Sequence, residues 1–207
     1  INTAIAILGA AVVAVGHWGA LRQDIAELLR WQSLTLLFAA LFAVTTAHEL
    51  AHGLTCKHFG GEVREMGIML LYFQPALYCN VSDAWLFSER SKRMWVGFAG
   101  PYLELFIWAT AVLAWHLTDP ETWLHDAACV FAATSGIKTL LNFNPLLKLD
   151  RYYLLSDWLD MPNLRQRSYA FVGTRLKRMI GIGAASSAEP ERRESLIFLG
   201  YGLLSAI

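Results

Sequence analysis

Apolar runs about as long as a bilayer-crossing helix, roughly 20 residues, dominate this chain. They cover 1–21, 33–56, 94–117 and 127–147, and a further one starts near Ser195 and runs to 207. Of the 207 residues, 56% are apolar and only 16% charged. Soluble domains average roughly 45–50% and about 25%. One core cannot hide that excess, because a chain this short keeps much of its surface in solvent. The expectation is an all-α polytopic membrane protein with about four to five spans. Disorder is excluded by the same arithmetic. Lys plus Arg and Asp plus Glu both number 17, so no basic excess points to nucleic acid. Three cysteines, Cys56, Cys79 and Cys129, do not form a disulfide framework. A chain opening at Ile1 and ending at Ile207 inside an apolar run is expected to be a piece of a longer protein, with appended domains beyond it.

The connections carry the next level of information. Between the second and third runs, 57–93 is of mixed character. Gly60 and Gly61 read as a helix end followed by a turn. Val63 to Tyr72 is rich in β-formers, so a strand, hairpin or re-entrant segment is expected, punctuated by Pro75. Ser88 to Arg93 leads back, polar and basic, to the next helix. The link from Thr118 to Asp126 holds Asp119, Glu121 and Asp126 and no base. Residues 162–193 make an amphipathic segment with Arg165, Arg167, Arg175, Lys177 and Arg178, then a linker over Gly181 to Arg193. Lys57, Arg64, Arg90, Lys92 and Arg93 place the middle loop, and with it the segment after the fourth run, in the cytoplasm. The Arg165–Arg178 stretch then either lies on the anionic inner leaflet or forms a solvated helix.

Ionisable groups inside apolar runs are costly, so each is a site candidate. The second run ends in His48-Glu49-Leu50-Ala51-His52-Gly53. A spacing of i, i+4 puts both imidazoles on one helix face, one turn apart. Two ring nitrogens so placed reach one Zn²⁺ at about 2.0–2.1 Å each. Glu49 stands beside them as a proton acceptor. Cys56 lies roughly 12 Å along the helix from His48 at 1.5 Å rise per residue, so it reads as a packed core thiol. His58, beside Lys57 near the helix end, reads as surface. The contenders for a third ligand are Glu104, inside the third run, and Asp150, which ends the string Asn142-Phe143-Asn144-Pro145-Leu146-Leu147-Lys148-Leu149-Asp150. Pro145 breaks the helix there, and a carboxylate at a broken helix facing a cavity suits a ligand.

These motifs in this order resemble the site-2 protease family of intramembrane zinc metalloproteases. That family's pattern is an Asn, a Pro three residues on and a Leu-Asp at the end. Asn142, Pro145, Leu149 and Asp150 match it, and Phe98-Ala99-Gly100-Pro101 looks like its Gly-Pro helix start. The resemblance covers roughly 33–159. From Tyr153 to Arg167 the chain looks like a bacterial branch described as putative peptide zinc metalloproteases. The resemblance implies a zinc metalloendopeptidase of the bacterial inner membrane, with its active site near the cytoplasmic side. His48, His52 and Asp150 would be Zn²⁺ ligands and Glu49 the general base. Asn142 would donate to a membrane protein or peptide substrate; its other reading is to satisfy carbonyls freed by Pro145. Asn144, off the pattern, reads as structural.

Two positions depart from the family. Arg151 follows the ligand Asp where Gly is usual, and Glu104 stands where many members carry Asn. Glu104 is either a protonated buried acid or the partner of Lys138. Arg151 supports an alternative, a catalytically impaired zinc-binding membrane component of peptide export or maturation. Glu191 and Glu194 offer a third ligand of a different HExxH class, without a matching motif. A di-iron oxidase would need several histidine boxes, and six histidines supply one. The strand over 63–72 either pairs with an extended substrate or is structural.

Overall fold

In lipid a backbone must satisfy its own polar groups, which favours helices wherever the sequence is apolar for long enough. The computed structural model describes residues 2–28, 34–71, 74–179 and 191–205. Among these, helices α1 (Asn2–Gly16), α2 (Trp18–Leu28), α3 (Leu34–His58), α4 (Arg90–Leu117) and α5 (Trp123–Asn142) belong to a first unit, 1–143. Strands β1 (Met66–Leu71) and β2 (Gln74–Cys79) form its two-stranded sheet. Helices α6 (Asp150–Leu159), α7 (Leu164–Met179) and α8 (Arg192–Leu204) belong to a second unit, 144–207. Arg30, Ser33, Tyr72, residues 180–190 of the expected linker, and 206–207 lie outside the described residues.

Among the described residues two helices, α3 and α4, are long and apolar enough to cross a membrane, and α1 with α2 adds a third if counted as one span. This is fewer than the four to five spans expected from the sequence. The expected span over 1–21 is not one straight helix, since Asn2–Gly16 and Trp18–Glu27 meet at 83°. Asp24 on the polar α2 accepts a hydrogen bond from Trp115 Nε1 at 2.9 Å and pairs with His125 Nε2 at 3.3 Å, which holds α2 against α4 and α5. The fourth run becomes α5, 20 residues that include Asp126 and Lys138, and the described part of the fifth is the 13 residues of α8.

The first unit packs through small residues. Ala10, Ala14, Ala109, Ala111, Ala128 and Ala132 are buried around Val112, Trp115 and Cys129. Small side chains let helix backbones approach closely, the usual means of helix packing in membranes. At Gly136 a Cβ would lie 2.9 Å from Trp108 Cδ1, so α4 and α5 meet too closely for any side chain there.

Helix α3 ends at the glycine pair as expected. Gly60 is left-handed at φ +88°, its N–H donating to Lys57 O, while the Gly61 N–H donates to Cys56 O, both at 3.0 Å. This is a Schellman closure. The chain then enters the antiparallel hairpin, with Met66 opposite Cys79 and Leu70 opposite Pro75. Pro75 therefore sits inside β2 rather than ending a strand, which a two-stranded sheet tolerates because both of its strands are edges. Strand β2 packs on α3, and Met66, Ile68 and Leu70 of β1 are exposed.

In the second unit Tyr152, Met161, Leu164, Phe198 and Tyr201 form the core. Helix α6 closes on Asp160 in the left-handed region (φ 59°), and the Ser156 hydroxyl donates to Met161 O at 2.6 Å. Helix α7 carries its arginines over aromatic rings, Arg165 over Tyr169, Arg167 over Phe198 and Arg175 over Phe171.

Candidate metal centre

The i, i+4 spacing on α3 does what helical geometry requires. His48 and His52 are both buried on one face, with their Nε2 atoms 3.0 Å apart. What surrounds them decides which nitrogen carries the proton. His52 Nδ1 lies 2.6 Å from Val96 O, and a carbonyl can only accept, so Nδ1 donates. His48 Nδ1 lies 2.9 Å from Glu104 Oε1, an ion-pair contact that favours the ring proton on Nδ1. In neutral imidazoles the lone pairs are then on the two Nε2 atoms. At 3.0 Å the two Nε2 atoms stand where one shared proton or one shared cation can bridge them. Ligands at about 2.0–2.1 Å from a tetrahedral Zn²⁺ stand about 3.3 Å apart, close to the spacing found. A metal-ligating histidine ordinarily donates its other N–H to a carbonyl or carboxylate, and both rings have such a group beside Nδ1. The two Nε2 atoms are therefore placed as donors to one metal ion would be.

Gly100 makes room for this pair. A Cβ there would lie 2.4 Å from His52 Nε2 and 2.6 Å from His48 Nε2. The sequence marked Gly100 only as part of a helix start. Its use in the site depends on contact with residues some fifty positions away in the chain, which local patterning cannot reveal.

Glu104 is fully buried on α4. Its Oε1 lies 2.9 Å from His48 Nδ1 and 3.2 Å from Lys138 Nζ, two ion-pair contacts on one oxygen. Its Oε2 accepts from Asn142 Nδ2 at 2.7 Å. Of the two readings open for Glu104, the partner of Lys138 is the one found. Asn142 has a partner that neither of its readings foresaw. Lys138 also donates to Thr45 Oγ1 at 2.9 Å, which ties α5 to α3.

Glu49 is half-buried next to His48. Across from it, burial and then the Glu49 carboxylate push the Cys79 thiol above its usual range. Cys79 Sγ would lie 2.7 Å from a Cβ on Gly53, so β2 runs close against the motif helix. Cys56 is a core thiol, packed with Ala84 and Val96, and His58 is exposed, both as expected.

The remaining candidates lie in the second unit. Asp150 is the half-buried first residue of α6, where a carboxylate is favoured by the helix dipole. Asn144 accepts the Leu146 N–H at 3.0 Å, a turn-forming role. Glu194 pairs with Arg167 at 3.6 Å.

No family model matches the chain, and no solved structure matches it. A protein of Methanocaldococcus jannaschii described as uncharacterized is 34% identical over 74 residues, 35% of this chain. The match spans 20% of that protein's length.

Proposed function

We propose that this chain is the core of a zinc-dependent intramembrane endopeptidase of the site-2 protease type, acting on a membrane-associated protein or peptide. The observation that carries the reading is the pair of buried imidazoles, with each Nδ1 tied to an acceptor and the two Nε2 atoms facing each other at 3.0 Å. Glu49 on the same helix turn supports it, as does the site's position inside the apolar helix α3, where such groups are otherwise costly.

Asp150 is proposed as the third ligand, from its place in the Asn-Pro-Leu-Asp pattern. His48, His52 and Asp150 would hold a Zn²⁺ ion, which would supply Lewis-acid polarisation of a carbonyl and activation of water near neutral pH. Glu49 accepts the proton of the attacking water and returns it to the leaving amine. The Asn142 amide has a second N–H beyond the one donated to Glu104, and this is proposed for the substrate or its oxyanion. The outer edge of β1, which carries no further strand among the described residues, offers a template for an extended substrate.

The polytopic arrangement, with α5 and α8 counted as spans beside α3, α4 and the bent α1–α2 pair, belongs to the same proposal. So do the cytoplasmic side of the site, the bacterial inner membrane, and contact of α7 with the bilayer. The exposed Arg175 and Lys177, and the absence of acids from α7, support the last of these.

The test is zinc quantification together with cleavage of membrane peptides by the purified protein. Glu49→Gln retains zinc and loses cleavage; a variant that cleaves as well as the parent removes Glu49 from the mechanism. Asp150→Ala lowers bound zinc, and unchanged zinc content moves the third ligand elsewhere. Arg151, next to Asp150, supports the second reading, a zinc-binding component of peptide export or maturation. Peptide binding by the parent protein without any new termini would select it.

A further inference from the structure

Glu104 has more partners than a helix-packing ion pair needs. A fully buried carboxylate is costly unless its oxygens are satisfied, and here the donors come from two helices. His48 of α3 and Lys138 of α5 share Oε1, and Asn142 of α5 takes Oε2. The shared oxygen links the two helices electrostatically. A carboxylate that accepts from Nδ1–H holds the ring in place and raises the electron density on the far nitrogen. A cation on that same oxygen draws the density back. The Lys138 charge, one carboxylate away from the His48 ring, would also repel a dication held by that ring.

We infer that Glu104 and Lys138 are positioning residues that set the metal affinity of His48 in opposite directions, Glu104 raising it and Lys138 holding it down. This rests on the zinc reading above and deepens it. The pair gives the site a counter-charge of its own. Glu104 is neutralised by Lys138 before any metal arrives, so the helices pack with balanced charge, and the metal binds less tightly than the same ligands would allow without the lysine.

The experiment is competition for Zn²⁺ between the full chain in detergent and a chromogenic chelator. Cobalt substitution, with its visible d–d bands, checks that coordination is kept. Glu104→Gln weakens zinc by about 10- to 100-fold, the usual range for losing an outer-shell partner. Lys138→Met tightens zinc while lowering the melting temperature of the metal-free protein. A purely structural pair would lower stability in both variants and move affinity the same way in both.

If Glu104→Gln does not fold with Lys138 left unpaired, the double variant with Lys138→Met removes both charges. It binds zinc at least tenfold more weakly than Lys138→Met alone. Affinity of Glu104→Gln within twofold of the parent overturns the inference, as does Lys138→Met weakening zinc, or the double variant matching Lys138→Met. A parent chain that binds no zinc overturns the metal reading itself, an outcome distinct from these.

Discussion

Two clusters in the first unit join histidine to carboxylate, and they are wired in opposite senses. At the first, His48 and His52 each commit Nδ1 to an acceptor and turn Nε2 toward the other ring. At the second, His125 commits both nitrogens, Nε2 to Asp24 at 3.3 Å and Nδ1 to Thr118 Oγ1 at 3.4 Å, while Asp24 also takes the Trp115 N–H. Glu104 and Trp115 lie about 16 Å apart along α4 at 1.5 Å rise per residue, so the two clusters are separate. The lesson concerns ring direction. A buried histidine with both nitrogens spent is a clamp, here holding the bent α2 to the bundle. A pair of buried histidines whose Nε2 atoms face each other is what the zinc reading proposed above uses as ligands. Residue type and burial are alike in the two places: His48, His52 and His125 are 6–7% exposed.

The contrast breaks most sharply under alanine. His48→Ala takes zinc from near one per chain to near none, whereas His125→Ala leaves it unchanged, both read by metal analysis of purified protein. Equal zinc in the two variants would mean that ring direction has been misjudged.

Gly100→Ala is the next largest effect. The added methyl has no space beside the two Nε2 atoms, so it displaces the rings; zinc affinity falls by about tenfold or more and overpacking costs about 1–3 kcal/mol of stability. Gly136→Ala, crowded against Trp108 instead, carries the stability cost alone. Parallel chelator competition and thermal unfolding separate the two.

At the clamp, His125→Ala costs about 1 kcal/mol, the usual net worth of a hydrogen bond, because the half-buried Asp24 and Thr118 can turn to water, and it loosens α2. Faster proteolysis within α2 is the accompanying sign, and an unchanged melting temperature would remove the clamp from the account. The smallest effect lies outside both clusters. Asp160→Gly relieves a left-handed aspartate and stabilises the second unit by about 0.5 kcal/mol, visible in denaturant unfolding with zinc content unaltered.

Much of this arrangement was legible in the residues. The Gly60–Gly61 stop follows from backbone freedom at positive φ, and the hairpin from a run of β-formers. The facing imidazoles follow from four residues making nearly one helical turn. The buried Cys56 and the exposed His58 follow from that same helix phase. Less legible was the fate of the first apolar run. Hydropathy sums over a window and does not register that Asp24 has a tryptophan and a histidine waiting on other helices.

The sequence by itself determined that the chain is mostly helical and that two imidazoles and an acid share one turn of an apolar helix, because both properties are local and periodic. Only the tertiary structure decided which imidazole nitrogens face each other, that Gly100 leaves room for them, and that Glu104 belongs to His48, Lys138 and Asn142 together. Those are contacts between helices distant in sequence, and the proton on a ring nitrogen follows whichever acceptor the packing brings to it.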